Sequence, residues 1–268
     1  MKRHPGGRHY MSWTPLPVGV ENFKEIIEKG YYYVDKTLMI RDLIDLKGEV
    51  NLFTCPQCFG KTLNMSMLRY YFERSEEDRS YLFSGTKIMS AGERYLNEMG
   101  RYQVISISLK SMKQGSFEDA FHCLKEEIAR EFKKHSKIIE KLETEDDREK
   151  YELFMNRAAD DREYLTALRF LSECLYFCYG VGTVILLDEY DVPLENAYFR
   201  GFYEKMTDLI RSIFESALKT NDTLEFAVVT GCLRISKESI FTGLNNLKII
   251  SITSESYNEH FGFTCQEV

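Results

Sequence analysis

Val50-Asn51-Leu52-Phe53-Thr54 is an apolar run, and Phe59-Gly60-Lys61-Thr62-Leu63-Asn64-Met65 opens a helical pattern shortly after it. A buried strand, a tight turn carrying Gly-Lys-Thr and then a helix form the arrangement known as a P-loop, which holds phosphate. The first turn of a helix leaves amide N–H groups unpaired and carries partial positive charge, so an anion is stabilised there. In this reading Lys61 reaches the β- and γ-phosphates and the Thr62 hydroxyl ligates Mg²⁺. Phe59, Gly60 and Leu63 belong to the same nucleotide-binding turn. The full spacing asks for glycine at position 55, where this chain has Cys55. Taken alone, the tripeptide also fits a surface turn with a solvated lysine.

The second half of the chain decides between these readings. Val181-Gly182-Thr183-Val184-Ile185-Leu186-Leu187 is mostly apolar and β-branched, as a strand buried on both faces requires. It ends abruptly in Asp188-Glu189-Tyr190-Asp191. Ligands of α/β sheets bind at the carboxyl ends of parallel strands. Asp188 has the position of a Walker-B aspartate that holds Mg²⁺. Glu189 has the position of a general base that polarises the attacking water. A third strand, Leu224-Glu225-Phe226-Ala227-Val228-Val229, ends in Thr230-Gly231, and the Thr230 hydroxyl is placed to sense the γ-phosphate. Arg234 and Lys237 follow within one loop. They either meet anionic oxygens or form an ordinary solvated basic face.

Composition sets the outer bounds. With 268 residues, 44% hydrophobic and 29% charged, the chain can bury a large core and is neither disordered nor fibrous. A formal charge of −7 gives no support to nucleic acid as a general partner. No apolar run approaches a membrane span. The basic start, Met1 to Tyr10, lacks the apolar stretch of a secretory signal, so a cytoplasmic location is expected. Seven cysteines, an odd number, are expected to stay reduced. Cys174 and Cys178 lie four apart in a helical pattern and read as small core residues. Cys55-Pro56-Gln57-Cys58 is a C-x-x-C just before a helix, a context that lowers a thiol pKa and permits redox chemistry. No second pair at zinc spacing accompanies it.

The remaining pattern alternates strand and helix. Residues 21–29 read as a short helix, Tyr31-Tyr32-Tyr33-Val34 as β-prone, and Thr37 as the cap of a helix running to Lys47. The phosphate-loop helix runs from Thr62 to Phe72, and residues 73–79 read as charged and exposed. Residues 103–109 read as a strand. Phe117, Ala120, Phe121, Leu124, Ile128 and Phe132 mark a long amphipathic helix. The charged run 140–152 reads as a solvated helix or loop. Leucines 165, 168, 171 and 175 mark one further helix, and apolar positions from Met206 to Ala217 mark another. Leu247 to Ile252 is a last strand. The fold class expected is α/β: a P-loop NTPase with a parallel five-stranded sheet and helices on both faces. Strand 50–55 is expected to lie inside the sheet beside strand 224–230, with strand 103–109 towards an edge. Glu189 after Asp188 favours the ATPase branch with an additional strand between the two motif strands.

With these blocks assembled, the chain resembles the bacterial AAA-ATPase-like family, whose longer members carry a PD-(D/E)XK nuclease-like domain. The matching text is Leu16-Pro17-Val18-Gly19, Tyr32 to Thr37, Phe59 to Leu68, Leu187 to Leu194, and Thr230-Gly231 through Arg234 to Asn246. The resemblance implies ATP and Mg²⁺ as cofactors. Lys61 and Glu189 take catalytic roles, Thr62 and Asp188 hold the metal, and Thr230 and Arg234 line the nucleotide. It also places Asp35-Lys36-Thr37 where it can close over the nucleotide. The organisation it implies is a disordered tail over 1–12, an N-terminal helical segment over 13–48, an ATPase core over 49–254 and the start of a helical lid over 255–268. The lid proper and the nuclease-like domain are expected to be absent, so no nuclease activity is assigned.

One departure bears on activity. Where the family's loop reads Arg-Pro-Arg-Arg, this chain has Cys55, Pro56, Gln57 and Cys58. Three positive charges beside the phosphates are missing, each worth on the order of 1.5–3 kcal/mol as a charge-assisted contact. The expected function is therefore an ATP-binding domain with reduced Mg²⁺-dependent hydrolysis. A non-hydrolysing NTP-binding regulatory module is the alternative, and a thiol redox protein built on Cys55 and Cys58 is a more distant one. A protein client of unknown identity and a homo-oligomer are compatible with the sequence.

Overall fold

Strand residues of this chain alternate between two apolar layers. Leu52, Ile105, Ile107, Ile185, Leu187 and Val229 enter one core, whereas Phe53, Val104, Val184, Leu186, Val228 and Ile250 enter a second. Successive side chains of a strand point to opposite faces, so a sheet covered on both sides needs the continuous apolar runs this sequence has. The computed structural model describes residues 14–232, 240–241, 243–251, 254, 257 and 259–267.

Five parallel strands form the sheet: β1 (Val50–Thr54), β2 (Gln103–Ser108), β3 (Thr183–Asp188), β4 (Leu224–Gly231) and β5 (Leu247–Ser251). Their spatial order is β2-β3-β4-β1-β5. β1 is thus interior, flanked by β4 and β5, and β2 is an edge, as expected from the sequence. The fold is of P-loop NTPase type.

One face carries α1 (Phe23–Glu28), α2 (Leu38–Leu46), α3 (Lys61–Phe72) and α4 (Glu93–Leu96). The other carries α5 (Phe117–Lys134), α6 (Glu145–Met155), α7 (Ala167–Tyr179), α8 (Val192–Arg200) and α9 (Tyr203–Leu218). Each fully buried Leu, Ile or Phe contributes about 1.5–3 kcal/mol. In α9, Met206, Leu209, Ile210, Ile213, Phe214 and Ala217 are all buried, which is the stripe their spacing predicts.

Four local expectations need correction. Tyr31–Val34 is not a strand. The Tyr33 ring packs edge-on to Phe23 at 5.3 Å and its hydroxyl meets Met67 Sδ at 3.5 Å, so tertiary packing overrides β propensity. Thr37 precedes α2 without capping it. Its hydroxyl donates to Asp35 Oδ1 at 2.6 Å and accepts from the Ile88 amide at 3.1 Å. Glu73, expected to be exposed, is buried because Lys134 and Arg79 each lie 2.6 Å from its carboxylate. The charged run 140–152 contributes most of α6, and its Tyr151 is fully buried along with Phe154. The helix α8 escaped the sequence reading. Its signals are Pro193 at the helix start and Gly201 at the stop.

Candidate functional site

In a parallel sheet the carboxyl ends of all strands share one edge. The register aligns Phe53 with Thr230 and Thr54 with Gly231, while Leu187 pairs with Val229 and Ser108 with Asp188. Asp188, Thr230 and the residues after Thr54 therefore meet at that edge.

α3 starts directly above β1. Gly60 occupies the position before it with φ 78°, a left-handed conformation that glycine adopts without a Cβ penalty. No side chain caps this end. By helix geometry, the amides of Lys61, Thr62 and Leu63 have no acceptor within the helix.

Lys61 lies beneath this turn, only 7% exposed. Its Nζ donates to the carbonyls of Cys55 and Pro56, both at 2.7 Å, and to Cys232 Sγ at 3.2 Å. An ammonium has three donors, so all three are engaged. The chain of contacts continues across the sheet. The Cys232 amide donates to Asp191 Oδ2 at 2.8 Å, and the Tyr190 amide to the Thr230 carbonyl at 3.0 Å. The Thr230 hydroxyl donates to the Asp188 carboxylate. Gly231 is required here: a Cβ would sit 2.4 Å from the Tyr190 ring and 2.8 Å from Asp191 Oδ1.

A cavity of about 800 Å³ opens over this edge. Gly60, Lys61, Thr62 and Leu63 form one wall, and Glu189, Lys110 and Lys113 contribute to another. Glu189 has φ 57°, a left-handed backbone that costs a non-glycine residue on the order of 1–3 kcal/mol and clusters at functional sites. Burial pushes the Glu189 carboxyl above its ordinary pKa, Asp188 adds to the effect and Lys110 opposes it. The apolar part of the rim includes Phe199 and Phe263, 76% and 68% exposed.

Not every residue read from the sequence faces the cavity. Phe59 is half-buried and packs against the C-terminal segment, with the Gly262 amide donating to its carbonyl at 3.1 Å. Its ring is not a cavity wall. Thr230 is buried beneath the cavity and engaged with Asp188. Arg234 and Lys237 lie outside the described residues. Asp35-Lys36-Thr37 does not reach the cavity walls. Lys36 instead pairs with Glu267 at 2.6 Å, and His260 Nε2 meets Asp42 at 2.7 Å, clamping residues 259–267 to the N-terminal segment. Cys55 is buried and Cys58 exposed with φ 63°. Burial pushes the Cys55 thiol up to about 11, Lys61 opposing and Cys232 adding, so the expected thiolate at the helix start is not formed at Cys55.

The sequence reading passed over Lys110 and Lys113. The available signal was position: both follow the carboxyl end of a recognisable strand. As for a metal, Mg²⁺ takes oxygen ligands, keeps several waters and completes its shell with substrate phosphates. The Thr62 hydroxyl and Asp188 carboxylate fit that donor set. Among the described residues no three His, Cys, Asp or Glu side chains gather into a metal cage.

Sheet order and the helix start over β1 define the class as a P-loop NTPase-like α/β protein. A family model described as Predicted AAA-ATPase matches residues 17–241, and the chain belongs to this AAA-ATPase-like family. It is also 30% identical over 261 residues to an "Uncharacterized protein in vnfD 5'region" from Azotobacter chroococcum mcd 1. That match covers 96% of this chain and 45% of the relative, so the chain spans somewhat under half the relative's length. No helix among the described residues is long and apolar enough to cross a membrane.

Proposed function

We propose that the cavity binds ATP with Mg²⁺, the phosphates resting on the amides of Gly60 to Leu63. The observation that carries this reading is the run of contacts joining Lys61 to Cys232, Asp191, Thr230 and Asp188 along one sheet edge. It gathers an anion-binding helix start, a cation and Glu189 around one opening, with Asp188 buried beside Thr230 and outside the cavity lining. Thr62 and Asp188 would hold the metal, which when bound neutralises phosphate charge and polarises the γ-phosphoryl group. Lys61 exchanges a loop acceptor for a phosphate oxygen, and the weak thiol contact at 3.2 Å is the cheapest to give up. Glu189 accepts the proton of the attacking water, and burial together with Asp188 shifts its pKa upward, the direction that makes a carboxylate a stronger base.

A second reading, binding without turnover, draws on the loop. Pro56, Gln57 and Cys58 are exposed and bring no charge, and Lys61 is tied down by two carbonyls. Stabilisation of a developing negative charge is correspondingly weak. We therefore expect slow hydrolysis. Titration of the protein with Mg²⁺–ATP, run beside a phosphate-release assay, tests both readings. Saturable binding with little release supports them together. Absence of binding contradicts the first, and turnover above about 1 s⁻¹, within the ordinary enzyme range, contradicts the second.

The domain boundaries belong to the same proposal: an N-terminal helical segment over 13–48, a nucleotide-binding core over 49–254 and a lid-like start over 255–268. A client protein and self-association would be read from what the nucleotide changes, and neither is specified by the cavity.

A further inference from the structure

Seen from the phosphate-binding turn, the opposite side of the cavity has cations that the loop itself lacks. Ser108 pairs with Asp188 across β2 and β3, and the Leu109 amide donates to the Asp188 carbonyl at 2.9 Å. The chain then turns into a short 3₁₀ helix, Lys110–Met112. Met112 is fully buried in the core and fixes this turn. Lys110 and Lys113 are thereby delivered to the cavity just past Asp188, on the wall shared with Glu189.

Their pairing leaves them available. The Lys110 side chain is 61% exposed, and its link to Glu21 is long, 3.4 Å, with a partner that is 55% exposed. Glu189, followed by Glu21, is what raises the Lys110 pKa, so the ammonium is fully charged and sits in the field of the acidic pair. Lys113 is exposed and has no ion-pair partner among the described residues. A triphosphate brings roughly three to four negative charges, and a buried Lys61 with three engaged donors answers for only one of them. A phosphate chain that begins at the α3 start and extends towards Asp188 and Glu189 puts its last phosphate beside Lys110.

We propose that Lys110 and Lys113 bind the terminal phosphate, so that this chain discriminates nucleoside triphosphate from diphosphate by lysines delivered from the end of β2. The inference rests on the proposed nucleotide site and specifies which phosphate the second cationic group contacts. Lysine acts as a point charge on a flexible stem, so it can leave Glu21 for a phosphate oxygen without moving the backbone.

The test is a set of calorimetric titrations with Mg²⁺–ATP and Mg²⁺–ADP on the wild type, Lys110→Ala, Lys113→Ala, the double variant and Lys110→Arg. Both positions are exposed, so folding is preserved, and circular dichroism verifies it. Wild type is expected to prefer ATP over ADP by about tenfold or more. The double variant should bind ATP about tenfold more weakly and ADP within twofold of wild type, and Lys110→Arg should recover most of the ATP affinity. Equal losses for both nucleotides would identify a general electrostatic effect and overturn the inference. Unchanged ATP affinity in the double variant would overturn it too, while leaving the nucleotide site standing. A wild type that binds neither nucleotide would remove the site and the inference together.

Discussion

Lys61 Nζ lies 2.7 Å from the Cys55 carbonyl oxygen and holds the loop by its backbone. The sequence suggested a lysine that touches phosphate only, whereas the structure gives it a second duty. Its side chain is buried, and it satisfies two loop carbonyls. Replacing Lys61 with Met keeps the volume but removes the donors. ATP affinity is expected to fall at least about tenfold, and stability to fall by about 1–3 kcal/mol, chiefly because the buried Cys55 carbonyl loses its partner while the Pro56 carbonyl can turn to water. Calorimetry and urea denaturation measure the two effects. Full stability together with full affinity would contradict both roles.

Glu189→Gln separates binding from chemistry. ATP affinity should be kept within a few-fold, while any residual turnover falls by roughly 10²–10⁴-fold. Because burial and Asp188 raise the Glu189 pKa, the acidic limb of the wild-type rate profile should lie above the ordinary carboxyl value of 4.5. Turnover that survives in the variant would assign the base elsewhere.

The cysteines that stand in the loop differ in reactivity. The Cys55 thiol, raised to about 11, is thiolate in only about one molecule in 10⁴ at pH 7, and it is buried. Cys58 is exposed. Iodoacetamide at pH 7 should label Cys58 and the exposed Cys265 well before Cys55, read by peptide mass mapping. Comparable labelling of Cys55 would mean the loop opens readily.

Glu73 couples the sheet edge to pH. Burial alone would raise its pKa, but Lys134 and Arg69 outweigh it and hold the carboxyl at about 2, below its ordinary 4.5. A carboxylate whose folded-state pKa is depressed stabilises the fold above the unfolded value and loses that contribution as pH falls through the folded one. Its contribution, on the order of 3 kcal/mol, should be present above pH about 4.5 and fade towards pH 2. The stability gap between wild type and Glu73→Gln should shrink across that window. A gap independent of pH would contradict the account.

The fold was legible because its signals are one-dimensional. Strands β1, β3 and β4 are short apolar runs bounded by turn or acidic residues, and a Gly-Lys-Thr between strand and helix fixes which strand comes first. α9 shows its stripe at every expected position. The site was legible only in part. Gly60, Lys61, Thr62, Leu63 and Glu189 do line one cavity. Phe59 turns away because the segment around Gly262 packs against it, a contact some 200 residues distant in sequence that no local pattern encodes. Glu73 looked solvated because its partner Lys134 comes from α5, far along the chain. Lys110 and Lys113 looked ordinary because surface lysines are common. Only the register of Ser108 with Asp188 gives them a direction.

Amide hydrogen exchange with and without Mg²⁺–ATP tests the central claim most directly, because it reports where the nucleotide sits without relying on turnover. Slowed exchange is expected in peptides covering residues 58–64, with a smaller effect over 108–113 and 188–192. Unchanged exchange over 58–64 at saturating nucleotide, or protection confined to another part of the chain, would contradict that claim.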